Sequence, residues 1–327
     1  MASSESIVRP KIIIIDGFTL NPGDLSWQAL ENLGNVHVYD HSTREEVLER
    51  AYDAEIILAN KTVFDAELIV QLPNLRCICV TATGFNNIDI ITAKKHDILV
   101  CNVAGYGTDA VAQHVFALLL ELTNAVGKHH ESVQQGDWSR NRDFCYTLQP
   151  IIELAGKTMG IYGFGKIGQQ VARIALAFEM KILSTHKHPE RDSMPGVEFV
   201  DLETLFQKSD IITLHAPLTS ENEGFVNKNL LSKMKPSAYL INTARGGLIN
   251  ESDLKEALEN DIIAGAGLDV LSQEPPANGN ILFDVKNCII TPHNAWASRE
   301  ARQRLLDETV ENVKAFLNGK PRNVVNP

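Results

Sequence analysis

Positive charge is scarce in this chain: 30 Lys and Arg stand against 41 Asp and Glu, a formal net charge of -11 over 327 residues. A surface that tracks a nucleic-acid backbone needs clustered cations, because neutralised phosphates release counterions, so nucleic acid is not an expected partner. Long apolar runs are missing as well. The strongest, Val115-Phe116-Ala117-Leu118-Leu119-Leu120, stops at Glu121, far short of the roughly 20 residues a membrane span requires. Met1-Ala2-Ser3-Ser4-Glu5-Ser6 has no basic region followed by an apolar one, so nothing marks secretion and a cytoplasmic location is expected. Cysteine is sparse and odd in number: Cys77, Cys79, Cys101, Cys145 and Cys288. Those in or beside expected strands read as small buried thiols of a reducing compartment. Cys77 and Cys79 project to the same side of a strand, which leaves a redox pair as the alternative. No repeat of the solenoid kind and no low-complexity linker is present.

What is present suits a folded chain of two domains, with 44% hydrophobic and 22% charged residues. Short β-branched runs alternate with helical patterns. The first series runs through Lys11–Asp16, Val36–Tyr39, Ile56–Ala59, Cys77–Thr81 and Ile98–Cys101. The second runs through Thr158–Tyr162, Lys181–Thr185, Ile211–Leu214, Ala238–Asn242, Ile263–Gly267 and Cys288–Thr291. Nearly continuous apolar strands separated by helices predict parallel sheets covered on both faces, hence an α/β chain of two doubly wound domains with a small ligand where they meet. Asp109–Val126 predicts a long helix capped by Thr108 or Asp109 that crosses between the domains, its apolar stripe running from Val111 to Leu122. Arg299–Leu317 predicts an amphipathic helix, stopped by Gly319 and Pro321, that returns to the first domain. The first domain is then discontinuous, residues 1–104 with 298–327, and residues 105–297 form the other. Gly136–Pro150 reads as a loop anchored by Trp138 and Phe144.

Gly163-Phe164-Gly165-Lys166-Ile167-Gly168 follows the first strand of the second series and opens a helix. That context predicts a dinucleotide cradle: Gly163 for the turn, Gly165 for close approach of the pyrophosphate, Gly168 for packing helix on strand. The helix N-terminus supplies free N–H groups for the anion. About 20 positions further on, a carboxylate would take the ribose 2′-hydroxyl of NAD. This chain has His186-Lys187-His188-Pro189 there. A lysine attracts a 2′-phosphate, so the cofactor is NAD or NADP.

Ligands of parallel sheets lie outside the carboxyl ends of the strands. Three consecutive strands bring Arg245, then Asp269 and Glu274, then His293 to that rim. Arg245 can fork onto a carboxylate and polarise an adjacent carbonyl. His293 can exchange a proton while a hydride moves at the neighbouring carbon. Glu274 would hold the imidazole tautomer and favour its charged form. Blander alternatives remain open: Arg245 bridging a helix dipole, Glu274 as a surface carboxylate before Pro275-Pro276, His293 as a cap. No ligand spacing supports a metal, and Arg245 would oppose a cation.

Together with Asn242-Thr243-Ala244-Arg245-Gly246-Gly247-Leu248-Ile249, Gly267-Leu268-Asp269-Val270 with Glu274-Pro275, and Thr291-Pro292-His293-Asn294-Ala295-Trp296-Ala297, the glycine turn makes nearly the whole chain resemble the D-isomer-specific 2-hydroxyacid dehydrogenases, in the glycerate dehydrogenase and hydroxypyruvate reductase branch. The resemblance implies a Rossmann-type cofactor domain inserted in a flavodoxin-like substrate domain. It implies reduction of a small 2-keto acid, hydroxypyruvate or glyoxylate, by NAD(P)H to D-glycerate or glycolate, with Arg245 as substrate arginine, His293 as acid/base and Glu274 as its partner. Thr83 and Gly84 would bind the substrate carboxylate through backbone N–H groups. Thr108 would meet the cofactor phosphate, and His215, Ala216 and Pro217 would line the adenosine side. Asp269 would sit near the nicotinamide amide, with Thr243, Ala244, Arg245, His293 and Ala295 also beside the cofactor. Asn60-Lys61 and Trp296 suggest a compact polar pocket. A homodimer through the cofactor domain is implied, helped by the Val111–Leu122 stripe. The departure from relatives is His186, where NAD users carry aspartate; NADP users often place a basic residue one position later, here Lys187. Competing readings are a D-lactate-type dehydrogenase with another small substrate and a non-catalytic NAD(H)-sensing regulator. Formate oxidation fits the Glu274 partner less well.

Overall fold

A computed structural model describes residues 9–327; Met1-Ala2-Ser3-Ser4-Glu5-Ser6, read above for a secretion signal, lies outside the described residues. The chain divides into two compact units, one made of the segment up to Gly107 joined by Ala297–Pro327, the other of Thr108–Trp296.

In the first unit, β1 (Lys11–Ile14), β2 (Asn35–Val38), β3 (Ile56–Ala59), β4 (Cys77–Val80) and β5 (Leu99–Cys101) form a parallel sheet in the order β2-β1-β3-β4-β5. This is the flavodoxin-like order, and the winding reverses between β1 and β3. β3 and β4 are buried at every position, which is why they read as unbroken apolar runs; β2 is an exposed edge and alternates in polarity. The opposite edge, β5, is covered by the segment Asn323–Asn326. Val100 N donates to Asn326 Oδ1 at 2.8 Å, Val325 N donates to Val100 O at 2.8 Å, and Asn326 Nδ2 reaches Ile98 O at 2.9 Å. Helix Arg299–Leu317 begins at Ser298, whose Oγ accepts from Ala301 N. Its Arg302 forks onto Asp24 at 2.6 and 2.7 Å and so holds that carboxyl below its usual range. Cys77, Cys79 and Cys101 are buried free thiols, Cys77 Sγ lying 3.8 Å from Cys79 Sγ. The neighbouring Cys77 and burial push the Cys101 thiol up, so it is an inert core group. Cys145 is exposed, unlike the strand cysteines.

In the second unit, β6 (Thr158–Tyr162), β7 (Lys181–Thr185), β8 (Val197–Phe199), β9 (Ile211–Leu214), β10 (Tyr239–Asn242), β11 (Gly265–Leu268) and β12 (Cys288–Ile290) form a parallel sheet in the order β12-β11-β10-β9-β6-β7-β8. This is the doubly wound dinucleotide-binding order, with its reversal between β6 and β9. The fold class is the one the sequence predicts. Strand β8 was not foreseen.

The long helix spans Thr108–Asn124, not Asp109–Val126. It begins at Thr108 itself, and ends where Ala125 turns left-handed at φ 48° before a second helix, Val126–Gln134. Val115, Leu118, Leu119 and Leu122 of its stripe pack into the core of its own unit with Met159, Ile161 and Ile241, and Val111 is buried as well. Gly265 and Gly267 on β11 leave room for Leu122 and Leu118. The loop after it contains one helical turn, Asp137–Arg140. Trp138 does anchor that loop, donating from Nε1 to Phe144 O at 2.8 Å, but the Phe144 ring is 90% exposed and anchors nothing. Among the described residues no single helix is long and apolar enough to cross a membrane.

Candidate active site

The glycine turn divides its work as its spacing suggests. Gly163 sits at φ 91°, and a Cβ there would lie 2.8 Å from Ala216 N and from the His215 carbonyl carbon. A left-handed residue packed on backbone must be glycine. This contact lays His215-Ala216-Pro217 against the turn. At Gly168 a Cβ would come within 2.3 Å of Gly163 O, so the helix could not close onto the turn. At Gly165 a Cβ would meet nothing within 4 Å. Of the three it alone opens onto free space, where a pyrophosphate backbone would approach. Helix Lys166–Ala177 starts there with no side-chain cap, which leaves its first N–H groups to an anion. Thr243 Oγ1, just past β10, is a buried hydroxyl with no hydrogen-bond partner among the described residues. The cradle, the uncapped helix and the orphaned hydroxyl all fit a dinucleotide.

The ribose end departs from expectation. His186 Nδ1 accepts from Phe164 N at 3.1 Å, and Nε2 faces Asp192 Oδ2 at 2.7 Å. An acceptor at Nδ1 requires the proton on Nε2, so the ring is a neutral tautomer that donates to Asp192. Arg191 reaches the same oxygen through Nε and Nη2 at 3.0 and 2.5 Å. With Arg191 and then His186 on it, the Asp192 carboxyl is held down at about 2; this contribution to loop stability is present above the usual carboxylate range and is lost as pH falls towards 2. Sequence reasoning missed Asp192, which lies within the loop and not at the strand end. Lys187 is 82% exposed on its side chain and faces Glu221 at 3.7 Å, a weak solvent-screened pair. His215 N donates to Tyr162 O, and its Nε2 lies 2.8 Å from Thr213 Oγ1. Burial pushes its imidazole down to about 3, so it stays neutral.

At the rim of β10, β11 and β12 the three chemistry-bearing side chains are held by separate devices. Arg245 donates from Nη1 to Ala244 O at 2.7 Å, and its own carbonyl accepts from Asn242 Nδ2. No carboxylate among the described residues pairs with it, so a half-buried guanidinium stands ready for an anion. Gly246 lies on Leu271 and Ser272, where a Cβ would come within 1.9 Å of Leu271 carbonyl carbon. The peptide N of Leu271 in turn donates to Glu274 Oε1 at 2.8 Å. The other oxygen, Glu274 Oε2, lies 2.6 Å from His293 Nδ1. A carboxylate on Nδ1 puts the proton there and leaves Nε2 to exchange one with a ligand.

The backbone of His293 is left-handed at φ 51°, an uncommon state for a side-chain-bearing residue. It is over-determined. His293 N donates to Asp269 O, the Asp269 carboxylate accepts from Asn294 N, Ala295 N and Thr291 Oγ1, and Trp296 Nε1 donates to His293 O. Because Thr291 gives its one proton to Asp269 at 2.6 Å, its oxygen accepts from His114 Nε2 at 3.0 Å. The long helix is thereby tied to the loop that carries His293. Asp269, expected beside the nicotinamide, is 1% exposed and holds this loop with both oxygens. His114 was not foreseen. Among the described residues no cluster of three His, Cys, Asp or Glu could hold a metal.

In the first unit, Thr83 donates from Oγ1 to Val103 O at 2.9 Å and its carbonyl accepts from Asn102 Nδ2; neither bond uses the N–H groups of Thr83 or Gly84. Asn60 follows β3 and is buried.

Known proteins resemble this chain over most of its length. The model of the D-isomer specific 2-hydroxyacid dehydrogenase NAD binding domain matches residues 116–295. A hydroxypyruvate reductase of Blautia hydrogenotrophica is 47% identical over 321 residues, covering 97% of this chain and 99% of that protein. A glycerate dehydrogenase of Methylorubrum extorquens is 46% identical over 285 residues, 86% of this chain and 89% of the relative. Among solved structures, an acyclic imino acid reductase in complex with NADPH and D-Arg superposes with a TM-score of 0.84 at 34% identity, covering 96% of this chain and 99% of that one. With identity of this extent along nearly the full length, the chain belongs to the D-isomer-specific 2-hydroxyacid dehydrogenases and is an oxidoreductase that uses NAD or NADP.

Proposed function

We propose that the chain reduces hydroxypyruvate or glyoxylate to D-glycerate or glycolate. The observation that carries this reading is His293, held by Glu274 through Nδ1 at 2.6 Å, on the same rim as an Arg245 that has no carboxylate partner among the described residues. Residues 163–168, 215–217, Thr108, Thr243, Ala244 and Ala295 hold the nicotinamide cofactor, which when bound supplies the hydride. Arg245 binds the keto acid and polarises its carbonyl, and Thr83 and Gly84 take the carboxylate through their N–H groups. His293 delivers a proton from Nε2 to the carbonyl oxygen as charge develops on it, and Glu274 steadies the resulting imidazole. The relatives named hydroxypyruvate reductase and glycerate dehydrogenase support the choice of substrate. The unit up to Gly107 with Ala297–Pro327 is assigned to substrate and Thr108–Trp296 to cofactor.

The test is steady-state reduction of glyoxylate, hydroxypyruvate, pyruvate and phenylpyruvate with NADH and NADPH. A clear preference for phenylpyruvate would remove the small-substrate reading, and negligible turnover on all four would favour a cofactor-sensing role. In the same assays Lys187→Ala shifts the NADPH:NADH affinity ratio towards NADH by about two- to fivefold, the modest size set by its exposure. An unchanged ratio in a fluorescence titration would show that Lys187 stays with Glu221.

We also assign the second unit as the surface of a homodimer. The expected contributor, the Val111–Leu122 stripe, is spent inside its own core. Just beyond it in sequence a set of apolar side chains is left uncovered, Val126, Trp138, Phe144, Leu148 and Ile151, each about half exposed or more. Sedimentation at equilibrium is expected to give twice the 36.1 kDa chain mass, and Ile151→Asp to return it to the monomer; a monomeric wild type at micromolar concentration would refute the assignment.

A further inference from the structure

Among the described residues only two buried side-chain polar atoms lack a hydrogen-bond partner, Thr243 Oγ1 and Asn60 Oδ1. Each follows the carboxyl end of a strand, β10 and β3. Such atoms are rare because leaving them unpaired is costly, and they persist where something outside the chain completes them. Thr243 falls on the cofactor side of the assignment above. Asn60 does not.

Asn60 has no slack with which to satisfy itself. Its amide N donates to both oxygens of Asp16, at 2.8 and 3.0 Å, and the same carboxylate gathers Lys61 N, Thr62 N and Thr62 Oγ1. Its carbonyl and that of Thr62 are held by Asn87 Nδ2. The side-chain Nδ2 donates to Thr81 O at 2.5 Å and to Thr81 Oγ1 at 3.2 Å. A backbone carbonyl only accepts, so flipping the amide would set two acceptors against each other. The orientation is therefore fixed, with Oδ1 turned away from Thr81 and unpaired. Asn60 follows β3, at the point where the winding of the first sheet reverses between β1 and β3, which is where ligands of such sheets bind.

Oδ1 can only accept. The carboxylate and keto oxygens of a 2-keto acid are acceptors as well and would repel it; the methyl of pyruvate and the aldehyde hydrogen of glyoxylate offer no donor. A hydroxyl on C3 does. We infer that Asn60 is a specificity-determining residue whose Oδ1 accepts a hydrogen bond from the 3-hydroxyl of the keto acid, selecting hydroxypyruvate over pyruvate and glyoxylate. This rests on the reading that the chain reduces small 2-keto acids. A site built to pair a substrate hydroxyl penalises the analogue that lacks it, because the protein group is then left buried and unmet.

The experiment measures kcat/KM for hydroxypyruvate and pyruvate in the wild type and in Asn60→Leu, and compares the two ratios. The ratio is independent of the fraction of enzyme folded. In the wild type it favours hydroxypyruvate by about tenfold to a hundredfold, and in Asn60→Leu it falls to within a few-fold of unity. Should Asn60→Leu yield no folded protein, inhibition of the wild type by D-glycerate and by D-lactate reads the same hydroxyl, and D-glycerate binds the more tightly by a similar factor. Equal inhibition by the two acids, a wild-type ratio near unity, or a ratio unchanged by the substitution overturns the role of Asn60 while leaving keto-acid reduction intact. Absence of turnover on every keto acid, with cofactor still bound, overturns the reduction itself and this inference with it.

Discussion

His293→Ala is expected to lower kcat for hydroxypyruvate by about a hundredfold to ten-thousandfold, the span that a positioned general acid contributes, and to leave the dissociation constant of the reduced cofactor within about twofold. The two halves of this result have separate causes. Among the described residues its side-chain hydrogen bond is the one from Nδ1 to Glu274 Oε2, so its removal deletes the proton donor and leaves the cradle at Gly163–Gly168 untouched. The loop itself stands without the ring. Its backbone is held by Asp269 and Trp296 through bonds from main-chain atoms that alanine retains, although alanine tolerates the left-handed φ of 51° no better than histidine does. The melting temperature should therefore move little. Glu274→Gln should fall between wild type and His293→Ala, because an amide oxygen can still face Nδ1 but carries no charge. Stopped-flow single turnovers separate the chemical step from product release. A His293→Ala enzyme with undiminished single-turnover rate would place the proton donor elsewhere, and equally slow turnover in both proteins would favour the sensing role.

Gly165→Ala and Gly168→Ala should both reduce cofactor affinity, yet through opposite routes. The Cβ at residue 165 enters open space, so the folded protein keeps its stability while the pyrophosphate loses its close approach. Loss of one or two hydrogen bonds to a charged group amounts to about tenfold to a hundredfold in affinity. At residue 168 the Cβ would lie 2.3 Å from Gly163 O, a backbone atom that cannot swing aside, so the turn and the start of helix Lys166–Ala177 must part. Thermal unfolding of the two cofactor-free variants distinguishes the routes. Gly165→Ala should melt with the wild type and Gly168→Ala several degrees below it; equal melting temperatures would mean that the helix is not seated on the turn as described.

The two sheets are legible in the sequence because strands covered on both faces carry unbroken apolar runs, as β3 and β4 do. Strand β8 is not, since Val197-Glu198-Phe199 is a three-residue edge with partly exposed side chains and presents no run. The end of the long helix was misplaced because Ala125, a strong helix former, adopts φ 48°; tertiary packing decides there, and no residue type announces it. The glycine turn is legible because its demands fall on neighbours in sequence. His293 and Glu274, 19 residues apart, could be paired only by knowing that consecutive strands end on one rim. Asp192, His114 and Asp16 were out of reach for one shared reason. Each acts through a partner brought near by folding, six residues on for His186 and Asp192 but 177 for His114 and Thr291 and 44 for Asp16 and Asn60, and no local pattern encodes such a meeting.

The cover over β5 has a consequence for how the protein is made. Domains fold as units while the chain is still being synthesised, N-terminal parts first, but here the N–H of Val100 finds its partner only when Asn326 exists, and Asp24 meets Arg302 scarcely earlier. Everything from Thr108 to Trp296 can be complete while the first sheet still shows a bare edge. A nascent chain in that state exposes a strand ready to pair with its neighbour on the same polysome. The interval between emergence of β5 and of the residues that close it is thus a window in which pairing at this edge competes with its own closure.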